Sequence, residues 1–476
     1  FAFNLTMNSN FKHQSIQKHF GVIIENDKVI TNITDSTENI SKGSIFFARQ
    51  GMSSHGSDYI KLALNRGAIL IISSKAINNK KVHYVPDLEN ILAGFLYDYY
   101  DIEQKKVKFF GITGTNGKTS IAYLAHKITQ DHKQSSAYVG TLGYISENFR
   151  SKSNNTTPSI FFIFDCISQT KYSNTLYVYL ELSSHGLSQR RLNNLCFEKV
   201  CICNIASDHL DYHENHEAYT KSKLSVLKLY ARREPLINHE ITEKNAMNVN
   251  HYSISEINEN ATFYVNIVRS SPERSECNIF NNKQKIFSFS TDFFPDFNIL
   301  NACYSICLIL DQDFFNFHKI DFKRLSLPPG RNNIFKKDQK MIVVDFAHNP
   351  NALELIISSY KSAYNSIWTL FGCGGNRDKS KRNKMFKIAK KYSQKIFITS
   401  DNSRFENFNS IVRDILGEDR FDNLEVIKDR DSAIKIAIDT FPKNRNVISH
   451  RKSNKCSRSG FKVKTKKPQT EVRGFS

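Results

Sequence analysis

A glycine-rich turn between a strand-like run and a helical run constrains the fold more than any other feature of the chain. The run KVKFFGIT (106–113) is strand-like, and SIAYLAHKI (120–128) is helical. A strand, a glycine turn and a helix in this order begin a parallel α/β domain. Glycine lets backbone N–H groups face phosphate oxygens, and the helix N-terminus adds a favourable dipole. The turn therefore predicts a site for the phosphates of a nucleotide.

The residues that close the turn predict how the nucleotide is held. Lys118 would reach the outer phosphates, and the Thr119 hydroxyl would bind Mg²⁺. The strict spacing GxxxxGK[ST] does not hold, because Ile112 stands five residues before Gly117 and Gly111 stands one further back. A simple glycine turn is the alternative, but the strand–loop–helix context favours a nucleotide site.

Three α/β domains are predicted from the length and from two breaks in the pattern. A chain of 476 residues suggests about three domains at roughly 150 residues each. Residues 1–105 alternate short apolar runs with polar turns, which predicts a small N-terminal α/β domain. Residues 106–330 form the predicted central domain with a P-loop and a parallel sheet, and Pro-Pro-Gly at 328–330 marks its end. Residues 331–476 predict a smaller, Rossmann-like doubly wound domain.

The positive charge of the chain does not by itself select a partner. The sequence holds 66 Lys and Arg against 46 Asp and Glu, a net charge of +20. Nine of the basic residues and one Glu fall in 450–476, so the rest of the chain has a charge of only about +12. A nucleic-acid-binding NTPase, the alternative that this charge suggests, would interleave aromatic with basic residues on one face. Because the excess collects at the C-terminal end instead, we expect no nucleic-acid partner.

The sequence indicates a cytoplasmic protein without a membrane partner. No apolar run approaches the ~18 residues that a membrane-spanning helix needs. His and Lys interrupt the short apolar patches of residues 1–20, which is not the design of a secretory signal. The nine cysteines are scattered and include no CxxC pair, which is typical of reduced thiols.

Two polar residues follow apolar strands and are expected at the same sheet edge as the turn. Glu181 lies near the end of TLYVYLEL (175–182), and His209 follows KVCICNI (199–205). Ligands bind α/β sheets at the carboxyl ends of the strands, so these side chains are candidates for the site. Glu181 is well placed to hold a Mg²⁺ near phosphate. A solvated turn is one alternative for the second segment, and a zinc site is another, formed by His209, His213 and His216.

Seven motifs in order resemble those of the Mur ligase family, which builds the peptide of bacterial cell-wall precursors. They are GITGTNGKTS (111–120), NTTP (155–158), ELSSHGLSQRR (181–191), DHLDYH (208–213), PGR (329–331), DFAHNP (345–350) and GGNRDK (374–379). The resemblance covers most of residues 35–440 and is strongest to the branch that adds the third residue of the peptide. It implies a small UDP-binding domain, a central ATPase domain and a C-terminal amino-acid-binding domain.

The resemblance also implies an activity, which is that of an ATP-dependent carboxylate–amine ligase. ATP would convert a carboxylate of UDP-N-acetylmuramoyl-L-alanyl-D-glutamate to an acyl phosphate, which the amine of meso-2,6-diaminopimelate would attack. The implied cofactor is Mg²⁺, and the implied partners are these two substrates and ATP. ATP is expected between the central and C-terminal domains, and a monomer is expected.

Residue by residue, the resemblance assigns a catalytic and a nucleotide site. The implied catalytic residues are Lys118, Glu181, His209 and Lys223. The implied metal ligands are Thr119, Glu181, His209 and Lys223 as N6-carboxylysine. The implied ATP contacts are Gly114, Thr115, Asn116, Gly117, Lys118, Thr119, Ser120, Asn301, Arg331, Asp345 and His348. Charge explains the modified lysine, because an ammonium ~4 Å from Mg²⁺ would be repelled by about 8 kcal/mol at an effective dielectric near 20. An ordinary surface lysine is the alternative, since Lys221 is two residues away.

The substrate contacts are likewise implied by the resemblance. Those to the UDP-sugar and its peptide are Ser36, Asn155, Thr156, Thr157, Ser184, Gln189 and Arg191. Those to the incoming amino acid are Arg377, Asp401, Asn402 and Arg404. The family carries Asp-Asn-Pro-Arg where this chain has DNSR (401–404), and Arg404 favours diaminopimelate over lysine because the far carboxylate needs a cation. Ser159 replaces an Asp of the family, which weakens one contact.

The pattern breaks after residue 448. The family continues into a Gly-Lys-Gly-His-Glu loop, whereas this chain reads SHRKSNKC (449–456) and stays basic to its last residue. We therefore expect an altered C-terminal domain with weakened activity, and an inactive remnant is one alternative. A lysine-adding ligase is another. A folylpolyglutamate synthase is a third, but it lacks a UDP-sugar domain like 1–105.

Overall fold

The computed structural model describes residues 9–25, 27–51, 54–192, 194–206, 213, 215–229, 231–245, 249–337, 340–442 and 447–451. The chain divides into two compact units, Phe1–Arg331 and Asn332–Ser476. Both are α/β, as predicted. Among the described residues, no helix has the length and apolar character required to cross a membrane.

A four-stranded parallel sheet occupies the N-terminal part of the first unit, with its strands in chain order. Its strands are β1 (Ile33–Thr34), β2 (Ile45–Ala48), β3 (Leu70–Ser73) and β4 (Val82–Tyr84). Its helices are α1 (Ser9–Phe20), α2 (Ile60–Asn65) and α3 (Leu88–Tyr99). Three of the short apolar runs in this part of the sequence, SIFFARQG (44–51), AILIISS (68–74) and KVHYVPD (81–87), contain β2, β3 and β4. Gly67, with φ 97°, follows the C-terminal end of α2, where glycine adopts this left-handed conformation without strain.

An eleven-stranded sheet forms the rest of the first unit. Its strands are β5 (Val107–Thr113), β6 (Ser135–Gly140), β7 (Gly143–Ser146), β8 (Arg150–Ser151), β9 (Leu176–Glu181), β10 (Phe197–Ile202), β11 (Leu236–Asn238), β12 (Tyr252–Ser255), β13 (Phe263–Arg269), β14 (Ser275–Asn281) and β15 (Gln284–Thr291). Their order is β15-β14-β13-β12-β11-β10-β5-β9-β6-β7-β8. The strands from β13 to β6 are parallel, and the hairpins at the two edges are antiparallel. The carboxyl ends of β10, β5 and β9 therefore lie side by side.

Six helices accompany this sheet: α4 (Lys118–Asp131), α5 (Ile160–Ser168), α6 (Ser184–Ser188), α7 (His216–Leu224), α8 (His239–Asn245) and α9 (Asp296–Ile309). A 3₁₀ turn follows α7. Successive side chains of β5 enter opposite cores, because side chains alternate along a strand. Phe109 packs near Phe164 in one core, and Phe110 stacks on Tyr179 in the other. Burying each such ring stabilises the fold by about 1.5–3 kcal/mol. The strand that ends in the glycine turn is thus fixed on both faces.

The second unit contains a six-stranded sheet of order β16-β17-β21-β18-β19-β20. Its strands are β16 (Asn333–Lys337), β17 (Lys340–Asp345), β18 (Ile367–Phe371), β19 (Lys395–Thr399), β20 (Leu424–Ile427) and β21 (Val447–Arg451). Its helices are α10 (Pro350–Ala363), α11 (Ser380–Tyr392), α12 (Phe408–Leu416) and α13 (Arg430–Thr440). All neighbouring strands are parallel except β16 and β17. This is the predicted doubly wound arrangement.

The C-terminal end of the fold extends beyond the residue where the sequence pattern breaks. Of the segment after about residue 448, where we expect an altered domain, the structure describes 449–451, and these residues continue β21. This strand pairs with β17 on one side and β18 on the other, so it lies inside the sheet. The remainder of the divergent segment, 452–476, lies outside the described residues.

Candidate active site

The predicted glycine turn connects β5 to the first turn of α4. Gly117 has φ 87°, and a Cβ there would lie 2.7 Å from the Asn301 Oδ1 atom. A Cβ on Gly114 would overlap the Cys203 thiol. Glycine is therefore required at both positions, because α9 and the chain after β10 approach the turn closely.

The residues after β10 hold the turn in place from one side. Asn204 Nδ2 donates to the Asn116 carbonyl at 3.0 Å, and the Asn116 N–H donates to Asn204 Oδ1 at 2.9 Å. The Thr115 hydroxyl donates to the Ala206 carbonyl at 3.0 Å and accepts from the Ala206 N–H at 2.9 Å. Burial raises the pKa of the Cys203 thiol to about 11, so it packs beneath the turn as a neutral group. Hydrogen bonds between the turn and the residues after β10 therefore hold the turn in place.

Two lysines donate to the same backbone oxygen of the turn. Lys118 Nζ lies 2.7 Å from the Gly114 carbonyl and 3.1 Å from the Thr115 carbonyl, and Lys223 Nζ lies 2.8 Å from the Gly114 carbonyl. Lys223 comes from α7 and is only 1% exposed. The two nitrogens are at most about 5.5 Å apart, which is the sum of their distances to that oxygen. At an effective dielectric near 20, two positive charges at this separation repel by about 3 kcal/mol.

A buried carboxylate lies beside the first turn of α4. Glu181, the last residue of β9, is 1% exposed. Its Oε2 atom accepts from the Thr119 hydroxyl at 3.0 Å and from the Thr141 hydroxyl at 3.3 Å. Its Oε1 atom accepts from the Thr141 N–H at 3.0 Å and from the Tyr138 hydroxyl. The Thr119 hydroxyl in turn accepts from Arg331 Nη2 at 3.1 Å. Three of these residues, Thr119, Glu181 and Arg331, were predicted to belong to the site.

The end of β6 is shaped to accommodate this carboxylate. A Cβ on Gly140 would overlap both Glu181 Oε1 and the Tyr138 hydroxyl, so glycine permits the close approach of the backbone. Burial, and then the negative charge of Glu181, raise the pKa of Tyr138 well above its ordinary value, so the phenol keeps its proton and donates it. Thr156, predicted to contact substrate, lies 3.2 Å from Thr141 through their hydroxyl oxygens.

The donor set around Glu181 fits Mg²⁺. Carboxylate and hydroxyl oxygens are the ligands that this hard cation prefers, and Glu181 and Thr119 offer them side by side at 3.0 Å. The described residues contain no group of three His, Cys, Asp or Glu side chains that could hold a metal ion. The predicted ligand His209 lies outside the described residues, as does most of its motif. Of the alternative zinc ligands, His213 is buried, whereas His216 is exposed at the start of α7.

The predicted substrate motif lies directly after the carboxylate. The Thr157 hydroxyl donates to the Glu181 backbone carbonyl at 2.8 Å and accepts from the Ser183 N–H at 2.8 Å. Arg191 Nη1 donates to the Thr157 carbonyl at 2.6 Å, and Arg191 Nε donates to Gln189 Oε1 at 2.9 Å. Predicted residues from two motifs, NTTP and ELSSHGLSQRR, thus meet at the end of β9.

The helix that carries Lys223 is fastened to the same motif. The Ser222 hydroxyl donates to the Ser184 carbonyl at 3.1 Å and lies 2.9 Å from the Ser188 hydroxyl. Both partners belong to α6. The predicted modified lysine and the predicted substrate helix α6 therefore form one packed substructure.

The N-terminal sheet reaches this region through Asp35. The Ser159 hydroxyl donates to both carboxylate oxygens of Asp35, at 2.8 and 2.7 Å. Arg49 donates to Asp35 Oδ2 at 3.0 Å and pairs with both Glu89 carboxylate oxygens, at 2.8 and 2.6 Å. An Asp at position 159, which the family carries, would place two carboxylates against each other here. Ser36 follows Asp35 in the same turn, so the predicted UDP-contacting turn lies beside the NTTP motif.

Two further predicted residues, Ser120 and Asn155, lie near the residues described above. Ser120 is buried in the first turn of α4. Asn155 is exposed, and its carbonyl accepts from the Ser153 hydroxyl at 2.9 Å. Both residues are neighbours in sequence of other predicted site residues. Neither is among the hydrogen-bond partners of Glu181 given above.

In the second unit, one predicted ATP-contacting residue ends β17 and another lies in the loop after it. Asp345 Oδ1 accepts from the Ala347 N–H at 2.7 Å, and Oδ2 accepts from the Asn332 N–H at 2.8 Å. His348 Nδ1 lies 3.3 Å from the Phe346 carbonyl. Asp345 thus fixes the backbone just before β16, at Asn332, and just after β17, at Ala347. His348 lies in the loop after β17.

The predicted amino-acid-binding residues of this unit lie in two adjacent loops. The Gly375 N–H donates to the Asn402 carbonyl at 2.9 Å, and Arg404 Nη1 donates to the Gly375 carbonyl at 2.5 Å. Arg377 and Arg404 are exposed, and Asp401 is half-buried. The loops after β18 and β19 therefore present two guanidinium groups at the carboxyl edge of the second sheet.

Several residues of the site were missed by sequence reasoning. They are Tyr138, Gly140, Thr141 and Asn204. Gly140 and Thr141 had a usable signal, since they follow a strand at the carboxyl edge where ligands bind. Asn204 lies next to the last position of the run KVCICNI (199–205) and had the same signal.

The chain is similar to proteins of known class over nearly its whole length. The Mur ligase middle domain matches residues 112–309, and the Mur ligase, glutamate ligase domain matches residues 330–449. A UDP-N-acetylmuramoyl-L-alanyl-D-glutamate–2,6-diaminopimelate ligase from Wigglesworthia glossinidia brevipalpis is 33% identical over 435 residues, 86% of this chain and 87% of the relative. The ligase of the same name from Aquifex aeolicus is 31% identical over 420 residues, 87% and 86% of the two chains. A solved structure of a ligase of that name is 25% identical, with a TM-score of 0.63, and the match covers 92% of each chain.

A phosphate turn at the carboxyl edge of a parallel sheet is the mark of a P-loop nucleotide-binding protein. The chain belongs to the Mur ligase family. It is an ATP-dependent ligase that forms an amide between an acid and an amino acid, and it uses Mg²⁺. Its family acts in peptidoglycan synthesis.

Proposed function

We propose that this ligase joins meso-2,6-diaminopimelate to UDP-N-acetylmuramoyl-L-alanyl-D-glutamate. The observation that carries the proposal is the buried Glu181 carboxylate, which accepts from the Thr119 hydroxyl at 3.0 Å beside the phosphate turn. The choice of substrates is supported by relatives at 33% and 31% identity that bear the name of this reaction. It is also supported by the two guanidinium groups at the edge of the second sheet.

The proposed reaction has two steps. In the first, a carboxylate oxygen of the D-glutamate attacks the γ-phosphorus of ATP, and the bond from phosphorus to the β–γ bridging oxygen breaks to release ADP. In the second, the amine nitrogen of diaminopimelate attacks the acyl carbon, the carbon–oxygen bond to phosphate breaks, and the nitrogen loses its proton. The products are an amide, ADP and inorganic phosphate.

The phosphate turn and Glu181 have distinct roles in this proposal. The N–H groups of the turn and Lys118 bind the phosphates of ATP. Thr119 and Glu181 would hold Mg²⁺, which lowers the repulsion between the attacking carboxylate and the phosphate oxygens. Tyr138 and Thr141 keep the Glu181 carboxylate oriented through three hydrogen bonds. Arg331 supplies a further positive charge close to Thr119.

Lys223 is proposed to act as N6-carboxylysine. Its ammonium would lose one proton, and the resulting amine nitrogen would form a bond to the carbon of CO₂ and lose a second proton, which converts a cation to an anion. Its burial and its position within about 5.5 Å of Lys118 support the change, because a carbamate would replace a repulsion between ammonium groups by an attraction. With His209, the carbamate would complete the metal ligands. The intact mass of the native protein should exceed the sequence mass by one CO₂, and the excess should disappear in acid.

The UDP-muramoyl-dipeptide is proposed to bind where the N-terminal and central sheets meet within the first unit. Arg191 would hold a carboxylate of the dipeptide through its planar guanidinium. The Asp35–Ser159 contact supports this placement, since it joins the turn of Ser36 to the NTTP motif. The proposed contacts are Ser36, Asn155, Thr156, Thr157, Ser184, Gln189 and Arg191. Asn301, Asp345 and His348 are proposed to contribute to ATP binding.

Diaminopimelate is proposed as the amino acid because of the charge of its far end. That end carries a carboxylate beside its amine, whereas lysine carries an ammonium alone. Arg404 and Arg377 offer guanidinium groups that match a carboxylate with two hydrogen bonds. Asp401 and Asn402 would receive the amine at the same end.

Rival functions make different predictions. A lysine-adding ligase would turn over with lysine, and a folylpolyglutamate synthase would use a folate in place of the UDP-sugar. The four-stranded sheet of β1–β4, joined to the central sheet through Asp35, favours the UDP-sugar. We further propose a cytoplasmic monomer with no nucleic-acid partner, which gel filtration with and without RNA tests.

Phosphate release by the full chain tests the proposal. The reaction would contain ATP, Mg²⁺ and UDP-N-acetylmuramoyl-L-alanyl-D-glutamate, with diaminopimelate in one arm and lysine in the other. We expect release that requires the UDP-substrate and is much faster with diaminopimelate, together with a product heavier than the UDP-substrate by one diaminopimelate residue. Release with neither amino acid, or turnover of a folate instead, would overturn it.

A further inference from the structure

Arg382 joins the two loops that carry the proposed amino-acid contacts. It lies on α11, and its side chain is 0% exposed. Nη2 donates to Glu406 Oε2 at 2.5 Å and to the Gly374 carbonyl at 3.0 Å, and Nη1 donates to Asp414 Oδ2 at 2.7 Å. A fully buried arginine is rare unless it is paired. Here the pairing connects the loop after β18, the loop after β19 and α12.

Glu406 extends this connection back to the first loop. Its Oε2 atom also accepts from the Asn376 N–H at 2.8 Å. The hydrogen bond from Arg382 holds the pKa of Glu406 at about 2, so the carboxylate is ionised at neutral pH. One carboxylate of the second loop is therefore bonded both to the buried guanidinium and to the backbone of the first loop.

The backbone of both loops needs such support. Asn376 has φ 48° and Arg404 has φ 49°. A left-handed conformation at a residue other than glycine costs about 1–3 kcal/mol and persists where its surroundings enforce it. The loops touch so closely that a Cβ on Gly375 would overlap the Ser403 carbonyl. The position of Arg404 thus depends on contacts between the loops.

Direct bonds between the loops fix the residues next to the exposed guanidinium groups. The Phe405 N–H donates to Asn376 Oδ1 at 3.1 Å, and Arg404 Nη1 donates to the Gly375 carbonyl at 2.5 Å. Asn376 immediately precedes Arg377, and Phe405 immediately follows Arg404. Hydrogen bonds between the loops and to Glu406 hold Asn376 and Phe405 in place. Arg377 and Arg404 are therefore each adjacent to a residue whose position is fixed.

We propose that Arg382 and Glu406 are positioning residues that hold Arg377 and Arg404 at the spacing required by the far end of the incoming amino acid. The identity of that amino acid rests on the proposed function. Arg382 is buried and does not touch the substrate; it acts through the two loops. Because a misplacement of about 1 Å can cost about 100-fold in a reaction rate, loosening the loops affects the use of the amino acid first.

The test is the variant Glu406→Gln, which keeps the size of the side chain and removes its charge. We expect the KM for diaminopimelate to rise about 10-fold or more, while the KM for ATP stays within about 2-fold. The matched control is Asp414→Asn, which removes the other charge facing Arg382 but belongs to α12 and not to a loop. We expect Asp414→Asn to lower the melting temperature without a rise in the KM for diaminopimelate. Equal KM changes in both variants would overturn the proposal.

A second readout does not depend on activity. Phe405 is 97% exposed, so chymotrypsin can reach it if the loop opens. We expect the wild type to resist cleavage after Phe405, Glu406→Gln to be cleaved at least several-fold faster, and Asp414→Asn to resemble the wild type at that bond. No change of cleavage in Glu406→Gln overturns the proposal. Should that variant fail to fold, Arg382→Lys, which keeps the charge but loses the planar fork, takes its place with the same expected results.

These outcomes separate the positioning role from the proposed reaction. If another amino acid supports turnover and diaminopimelate does not, the proposed function fails, and the KM comparison is made with that amino acid. If the wild type shows no turnover, the cleavage comparison decides the positioning role alone. Faster cleavage in the Glu406 variant then supports the role, and unchanged cleavage overturns it.

Discussion

Tyr138 contributes to the site through its proton. Burial and the charge of Glu181 raise the pKa of this phenol, so at neutral pH it donates to the carboxylate. The Thr141 N–H donates to the same oxygen at 3.0 Å. Donors that contact a ligating carboxylate from behind fix its direction, and their loss typically lowers metal affinity about 10–100-fold.

The variant Tyr138→Phe should therefore need more Mg²⁺. We expect the Mg²⁺ concentration for half-maximal activity to rise about 10-fold, measured by phosphate release against metal concentration. Tyr179→Phe is the matched control, because it also loses a buried hydroxyl bond, to Thr129 at 2.6 Å, on the neighbouring strand. Each change should cost about 1 kcal/mol of stability, but the Tyr179 variant should keep the Mg²⁺ requirement of the wild type. An equal requirement in all three proteins would contradict the role given to Tyr138.

The ionised state of Glu406 predicts a pH dependence of stability. Its folded-state pKa is about 2, below the ordinary value of 4.5, chiefly because of the hydrogen bond from Arg382. A group with a lowered folded-state pKa stabilises the fold above its unfolded-state pKa, and the contribution is lost as the pH falls through the folded-state value. At pH values above ~5, the melting temperature of the wild type should exceed that of Glu406→Gln by a constant difference. This difference should shrink as the pH falls from ~4.5 towards ~2. Thermal unfolding followed by circular dichroism measures it, and a margin that does not change with pH would count against the ion pair.

At the scale of elements, the phosphate turn depends on the segment after β10. The Asn204 side chain makes two hydrogen bonds to the Asn116 backbone, at 2.9 and 3.0 Å. Because these bonds within the protein already restrict the turn, ATP binding costs less conformational entropy.

The variant Asn204→Ala should loosen the turn and weaken ATP binding. We expect the KM for ATP to rise about 10-fold, because roughly two hydrogen bonds of about 0.5–1.5 kcal/mol each are lost. Asn148→Ala is a matched control, since Asn148 makes the same paired bonds with the Lys171 backbone, at 3.0 and 3.2 Å, in an exposed turn. That control should lose similar local bonds but keep the KM for ATP. A KM for ATP that is unchanged in the Asn204 variant would refute the role.

The sequence predicted those parts of the site that are encoded locally. The apolar run before the turn predicted β5, and the glycines with Lys118 and Thr119 predicted the turn, because a phosphate loop and its helix are contiguous in the chain. Glu181 was also predictable, since it ends an apolar strand. In each case the signal and the function occupy the same short segment.

The remaining residues could not be predicted because their partners are distant in sequence. Tyr138 and Glu181 are 43 residues apart, and Asn204 and Asn116 are 88 apart. A tyrosine inside an apolar strand reads as an ordinary core residue until the neighbouring strand is known. The pairing of Arg382 with Glu406 was hidden for the same reason, because Arg382 lies in a run of lysines on α11 that reads as a solvated face.

At the scale of the whole molecule, the second unit depends on a strand that comes late in the chain. In the second unit this strand is β21, whose backbone pairs with β17 from Met341 to Asp345 and with β18 from Ile367 to Leu370. A strand inside a sheet supplies hydrogen bonds to two neighbours, so its removal leaves both with unpaired backbone groups.

A pair of truncations tests this dependence. A chain that ends at residue 446 lacks β21, and its second unit should lose cooperative unfolding and be cleaved rapidly by protease. A chain that ends at residue 451 keeps β21 and is the control, which should retain the unfolding transition of the second unit. Limited proteolysis with mass spectrometry would follow both. Equal resistance of the two truncated chains would contradict the central position of β21.

The most direct measurement of the whole account follows one oxygen atom. The UDP-muramoyl-dipeptide would be labelled with ¹⁸O in both carboxylates of its D-glutamate, and the phosphate released with ATP and diaminopimelate would be analysed by mass spectrometry. Because the carboxylate attacks phosphorus and the amine later displaces phosphate at carbon, the released phosphate should contain one labelled oxygen. Unlabelled phosphate, or no release with all substrates present, would contradict the activation of a carboxylate at the Lys118–Glu181 site.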